Sequence, residues 1–173
     1  MLHNIETNSL ILRPFTLDDV DIIFSLSQEA GMRKWIPDQV YKNTEQTTDV
    51  LNYLISHYQD VPNPNIAPIV FAIISKERNE VIGHIGLSPI ENSVEIGYAI
   101  AEKQCGKGYA SQAVTAFSKW AIKELKIKKI MGIVASENVG SGRVLEKSGY
   151  FFERENEQMY LGEMRLCRRY FIE

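Results

Sequence analysis

Cysteine is scarce in this chain: Cys105 and Cys167 are the only two in 173 residues, and they lie far apart. Two distant thiols do not make the disulfide framework of a small secreted domain. With only three histidines, also dispersed, no Cys/His cluster has zinc-ligand spacing, so no metal is expected. Long apolar runs are missing too; nothing approaches the ~20 residues that cross a bilayer. The opening Met1-Leu2-His3-Asn4-Ile5-Glu6 lacks the basic region and apolar stretch of a signal peptide. Positive charge is not in surplus. Lys and Arg number 19 against 22 Asp and Glu, for a net charge of −3, so no basic field points to nucleic acid. The local cluster Lys123, Lys126, Lys128 and Lys129 suits the negative pole of a preceding helix. No linker, repeat or low-complexity tract interrupts the chain. The expectation is one globular domain over 1–173, cytoplasmic, with neither nucleic acid nor membrane as a partner.

What the chain does have is Gln104-Cys105-Gly106-Lys107-Gly108-Tyr109-Ala110. The extended run Val94–Ile100 leads into it and a strongly periodic helical pattern follows, so the order is strand, glycine-rich turn, helix. Two glycines let the backbone turn sharply and approach a ligand with no Cβ in the way. The turn aims several N–H groups and the positive end of a helix at one point, which suits a phosphate. A dinucleotide-binding fingerprint is one competing explanation. It fails at its third glycine position, which holds Ser111, and at the acidic residue expected where the next strand ends, near Ala135. No Gly-x-x-x-x-Gly-Lys-Ser/Thr loop occurs.

Taken in order, Ser9–Phe15 reads as a strand that Pro14 ends or confines to an edge. Thr16 caps a helix whose apolar face is Leu17, Val20, Ile23 and Phe24, and Gly31 stops it. Met32 to Asn43, with Trp35, Pro37 and Tyr41, reads as a packed loop or as a lid over an acceptor site. Thr44 caps a second helix with Val50, Leu51, Leu54, Ile55 and Tyr58 buried. Val61-Pro62-Asn63-Pro64-Asn65 breaks the chain. Ile69–Ser75, Val81–Leu87 and Val94–Ile100 form an antiparallel meander. In the last, Val94, Ile96, Tyr98 and Ile100 share one face, and Glu95, Gly97 and Ala99 the other. Gly83, Gly86 and Gly97 point to a bulge or a close backbone approach. After the loop come a helix from Ala110 to Leu125, a buried strand Ile127–Ala135, a short helix opened by Asn138 and stopped by Gly149, and a hairpin of Tyr150–Glu157 and Met159–Phe171. The sum is an α/β (α+β) fold: a mixed, mostly antiparallel sheet of about seven strands flanked by four helices, in the order β-α-α-β-β-β-α-β-α-β-β.

About thirty residues past the glycine loop stands Asn138-Val139-Gly140-Ser141-Gly142-Arg143-Val144-Leu145-Glu146-Lys147-Ser148-Gly149-Tyr150. Together the two segments resemble the GCN5-related N-acetyltransferases, in particular the subgroup related to ribosomal-protein N-terminal acetyltransferases. That family's pyrophosphate loop maps onto Cys105 to Ala110, with Cys105 where the pattern has Gln or Arg. The resemblance covers nearly the full chain. It implies an acyl-CoA N-acyltransferase fold and transfer of acetyl from acetyl-CoA to a primary amine by direct attack, the acceptor being a protein N-terminus or a small molecule. It implies that Cys105, Gly106, Lys107, Gly108, Tyr109 and Ala110 hold the pyrophosphate. It further implies that the pantetheine arm runs along Ile96, Tyr98 and Ile100, where strands splay, and bonds Asn138. Asn138 equally suits a helix N-cap.

The chemistry needs a base, because an ammonium has no lone pair. Glu95 is the candidate, on the face opposite the apolar set; an exposed structural glutamate is the other explanation, and His84 is the alternative base. The departing thiolate needs a proton. Family members often use a Tyr on the helix after the Asn segment, and close relatives of this pattern a Ser. Ser141 is therefore the candidate donor, or else a first-turn serine satisfying backbone groups. The competing function is a non-catalytic acetyl-CoA-binding sensor or scaffold of the same fold. Expected partners are acetyl-CoA and an amine acceptor, with a homodimer left open.

Overall fold

The computed structural model describes residues 2–58 and 62–173; Val61, at the start of the expected break, lies outside the described residues. Eight strands form one sheet: β1 (Ile5–Glu6), β2 (Leu10–Pro14), β3 (Ile69–Ser75), β4 (Glu80–Ile90), β5 (Ser93–Ile100), β6 (Ile130–Ala135), β7 (Phe151–Tyr160) and β8 (Glu163–Ile172). Their spatial order is β1-β2-β3-β4-β5-β6-β8-β7. Every neighbouring pair is antiparallel except β5 and β6, which run parallel. The helices are α1 (Val20–Ser27), α2 (Ala30–Trp35), α3 (Thr44–Ser56), α4 (Tyr109–Glu124) and α5 (Val139–Lys147).

Two cores follow from the alternation of the strands. One holds Leu12, Phe71, Ile85 and Ile96 against Val114 and Phe117 of α4. Phe71 sits 5.5 Å from Phe117 and 5.3 Å from Trp120 between ring centroids. Truncating such a buried aromatic costs about 3–5 kcal/mol. The other core joins Ala72 and Ile74 of β3 to Ile23 of α1 and Leu51 and Leu54 of α3.

The architecture agrees with the expected mixed sheet, and the differences have local causes. The eighth strand is β1, two residues paired only with Leu12 and Ile11. A fifth helix appears because Gly31 does not stop a helix. α1 ends at Ser27, and α2 begins at Ala30 and runs through Gly31. Gly31 N–H, an unpaired first-turn donor, is taken by Glu102 Oε1 at 2.8 Å. The cap of α3 is Asn43 rather than Thr44, with Asn43 Oδ1 accepting from Gln46 N at 2.9 Å. β6 starts at Ile130, after Lys126 turns through φ 57°. The closing hairpin turns at Leu161 and Gly162, whose φ of 51° and 84° suit a tight turn, rather than near Gln158. β4 carries the bulge: Ile73 pairs with Gly83 and Ile74 with Val81, leaving Ile82 unpaired. A Cβ on Gly86 would come within 2.6 Å of the Ile69 carbonyl oxygen, so close strand approach explains that glycine.

Candidate active site

β5 and β6 pair only at Val94 with Ile130 and at Glu95 with Met131. β6 then stays with β8 through Ala135, and β5 stays with β4 through Ile100. Past Glu95 the two strands part, and the β6-facing edge of β5 has no ladder partner. The parting opens a cleft of about 670 Å³ that crosses the sheet. On one side its walls are Trp35, Asp38 and Tyr160; on the other they are Asn138, Ser141 and Ala110.

Glu95 lines this cleft at the point of parting and is half-buried. Burial raises its carboxyl from 4.5 to about 7; the charge of Arg169 and the Ile133 backbone pull it down, and Asp38 pushes it up. His84 lies elsewhere. It pairs with Ala99, four residues along β5, and is not in the cleft wall; it lines a small hollow of about 20 Å³ that adjoins the cleft through Met32, Ala99 and Ile100. Burial lowers its pKa to about 4. The two candidate bases are therefore not brought together.

Tyr98 comes from the opposite face of β5 and reaches across the gap to α5. Its hydroxyl donates to the Ser141 carbonyl at 2.9 Å and lies 2.8 Å from Ser141 Oγ. Burial pushes the phenol pKa up, and the Ser141 bond offsets part of this. Asn138 caps α5, its Oδ1 accepting from Ser141 N at 3.2 Å. Ile96 and Ile100 also line the cleft, as does Cys105.

The glycine loop forms the far end. Gly106 and Gly108 have φ of 78° and 79°, which favours glycine. A Cβ at either would meet nothing within 4 Å. Gly108 is the N-cap of α4 and no side chain caps that end, so the first-turn N–H groups have no intrahelical acceptor. Gly106, Lys107 and Gly108 are exposed, and Tyr109 is half-buried. They are not in the cleft wall, which the loop enters only at Cys105 and Ala110. Lys107 Nζ donates to Gln104 Oε1 at 2.8 Å. Gln104 is buried and anchors the loop.

Sequence reasoning missed three features. The Tyr98–Ser141 contact spans 43 residues, and the strand alternation gave Tyr98 only a face, the one opposite Glu95. Glu29 and Glu102 form a reciprocal clamp: Glu102 N donates to Glu29 Oε2 at 2.9 Å, while Glu102 Oε1 takes Gly31 N–H. It ties α2 to the turn before the glycine loop. Tyr160, raised to about 12 by burial and by Glu95, belongs to a hairpin that carries no local signal of a site. Of the segment from Met32 to Asn43, expected as a packed loop or a lid, Met32–Trp35 belongs to α2 and Pro37–Gln39 forms a helical turn, and Met32, Trp35, Ile36, Asp38 and Gln39 all border the cleft.

Among the described residues, no group of three or more His, Cys, Asp or Glu could hold a metal ion, and no helix is long and apolar enough to cross a membrane.

A family model described as an acetyltransferase (GNAT) domain matches residues 9–150. The chain is 28% identical over 148 residues to the uncharacterized N-acetyltransferase YnaD of Bacillus subtilis (strain 168), covering 84% of this chain and 81% of that protein. The crystal structure of an acetyltransferase (GNAT family) from Bacillus anthracis superposes with a TM-score of 0.83 at 26% identity, covering 98% of each chain. RimL, a ribosomal L7/L12 alpha-N-protein acetyltransferase solved in complex with coenzyme A, also gives a TM-score of 0.83, at 20% identity over 98% of this chain and 97% of that one. At that identity the likeness speaks to the fold.

Proposed function

Because this chain belongs to the GNAT acetyltransferase family and is an N-acetyltransferase, we propose that it moves the acetyl group of acetyl-CoA to a primary amine by direct attack. The observation that carries this reading is the parting of β5 from β6, which opens one cleft lined by both Glu95 and the Tyr98–Ser141 hydroxyl pair. Bound there, acetyl-CoA supplies an activated thioester.

The residues fit such a substrate. The free edge of β5 from Ile96 to Ile100 offers unpaired backbone groups to an extended amide-bearing arm. Asn138 Oδ1 accepts from Ser141 N, and its amide nitrogen is the group that donates to that arm. Gly106 and Gly108 are open above, and the uncapped start of α4 supplies N–H groups and positive potential for a pyrophosphate. Those backbone donors do not depend on the identity of residue 105. Lys107 is tied to Gln104, so its contribution is charge at the rim.

Glu95 takes the proton from the acceptor ammonium. A carboxyl at about 7 is half ionised at neutral pH and close in strength to an α-amino group, pKa about 7.7–8.0. A lysine side chain near 10.4 is a harder proton donor for it. This match favours a protein N-terminus or another amine of low pKa. The neutral amine attacks the thioester carbonyl, the C–N bond forms, and the C–S bond breaks as the tetrahedral intermediate collapses. Tyr98 and Ser141 supply the proton that the sulfur takes; the second proton of the attacking nitrogen leaves to solvent as the amide forms, and solvent restores the proton to the hydroxyl pair. His84, outside the cleft and lowered to about 4, is the weaker base. Trp35 and Asp38 border the side of the cleft on which the acceptor enters.

Release of free thiol from acetyl-CoA, followed with a panel of amines and N-terminal peptides, tests the reading. Amine-dependent release with at least one low-pKa acceptor is expected. Acetyl-CoA that binds but gives no release with any amine would favour a cofactor-sensing role.

A further inference from the structure

Arg169 sits on β8 at 9% exposure. A guanidinium has five N–H donors, and buried polar groups are nearly always hydrogen-bonded. Among the described residues, Arg169 Nε is fully enclosed with no partner. Its ionic neighbour is Glu91, with Nη2 to Oε2 at 3.9 Å, and that side chain is 74% exposed on the turn between β4 and β5. A buried charge matched so poorly is costly. The other buried side-chain atom without a partner among the described residues is Asn156 Oδ1, which lies on β7 on the same face of the sheet.

Arg169 lines a further cavity, of about 240 Å³. Its cations, Lys129, Arg154 and Arg169, outnumber its carboxylates, Glu91 and Glu153. Lys129 is engaged by Glu153 at 3.3 Å. Arg154 has no ion pair among the described residues. Two guanidinium groups are thus left facing one hollow in which only the exposed Glu91 answers them, at 3.9 Å, while outside it the charge of Arg169 also acts on Glu95. The hollow adjoins the acetyl-transfer cleft, since Ile90 borders both. Arg169 pairs with Ile133 in the sheet, and the Ile133 backbone is among the groups acting on Glu95.

We propose that this cavity receives an anionic group of the amine acceptor, a carboxylate or a phosphate held by Arg169 with Arg154, so that the amine is delivered to Glu95. The proposal rests on the reading of Glu95 as the base. Guanidinium forks match carboxylate and phosphate oxygens in bidentate geometry. The long contact to the exposed Glu91 is the one such an anion would replace. The site therefore selects acceptors that carry an anion beside the amine.

Binding of three small amines to the full chain tests this without requiring turnover: β-alanine, O-phosphoethanolamine and ethanolamine, titrated by calorimetry or followed by NMR. One or both anionic probes bind and ethanolamine does not; which of the two binds tells carboxylate from phosphate. Arg169→Gln weakens the anionic probe about tenfold or more, Arg169→Lys gives an intermediate affinity, and the exposed Arg154→Ala gives a smaller loss. Thermal stabilisation by acetyl-CoA is unchanged in all three. If Arg169→Gln does not fold, Arg169→Lys decides in its place. Anionic probes that bind no better than ethanolamine, or as well to the Arg169 variants as to wild type, overturn the proposal. Thiol release with an amine that carries no anionic group, under the same outcome, would leave the acetyltransferase reading standing and remove only this one.

Discussion

The Tyr98 hydroxyl donates to the Ser141 carbonyl at 2.9 Å, with Ser141 Oγ 2.8 Å away. With one proton per hydroxyl, Ser141 Oγ then donates to Tyr98. The two groups form one unit, held by a strand from one side and a helix from the other. A proton leaving toward a sulfur at this site is replaced from the second hydroxyl.

The first prediction concerns that unit. Tyr98→Phe and Ser141→Ala each lower kcat about tenfold to a hundredfold, with smaller effects on acetyl-CoA affinity. The double variant loses little more than the worse single one, because either change breaks the same relay. Steady-state kinetics beside acetyl-CoA titrations check this. Losses that multiply, or that fall on affinity alone, would reduce the pair to a structural contact.

Glu95 should also be visible in stability. Its folded pKa of about 7 lies above its ordinary 4.5, so between those values the folded chain holds the proton more firmly than the unfolded chain. Stability from this group is full below about pH 4.5 and is lost as pH rises through 7. Glu95→Gln, which stays neutral, matches wild type near pH 4. Above pH 7 it exceeds wild type by about 3 kcal/mol. Denaturant unfolding at the two pH values measures the difference. A variant less stable than wild type at high pH would mean that the carboxylate is well solvated or paired.

Gly108 carries φ of 79° at the start of α4. Valine there would be strained by about 1–2 kcal/mol and would put a branched side chain beside the first-turn N–H groups. A ligand at a hundred times its Kd adds about 2.7 kcal/mol to the folded state. Wild type should show an acetyl-CoA-dependent rise in Tm of that scale, and Gly108→Val little or none. Equal shifts in both would move the pyrophosphate away from this loop.

Much of this was legible along the chain because the signals are local. The alternation in Val94–Ile100 separates Glu95 from Tyr98 by face, and the structure keeps that separation by partner, with Tyr98 reaching Ser141 on α5 and Glu95 lying under the influence of Arg169 and Asp38. The glycine loop and Asn138 sit at helix starts, where backbone chemistry dictates residue type. What escaped depends on contacts between distant residues. Gly31 reads as a helix stop until Glu102, 71 positions away, caps its N–H. Arg169 reads as one more polar residue on a closing strand until β6 and β7 bury it from either side. No local pattern encodes the parting of β5 from β6, which arises because each strand keeps its other neighbour.

The most direct measurement is the pH–rate profile of kcat/KM for wild type and Glu95→Gln with one low-pKa amine. Wild type should show a limb that rises with pH through about 7, where Glu95 ionises. The variant should be strongly reduced near neutral pH and should recover in part as pH rises and the free amine fraction grows. Profiles that run parallel across the whole range would contradict this and remove Glu95 as the base.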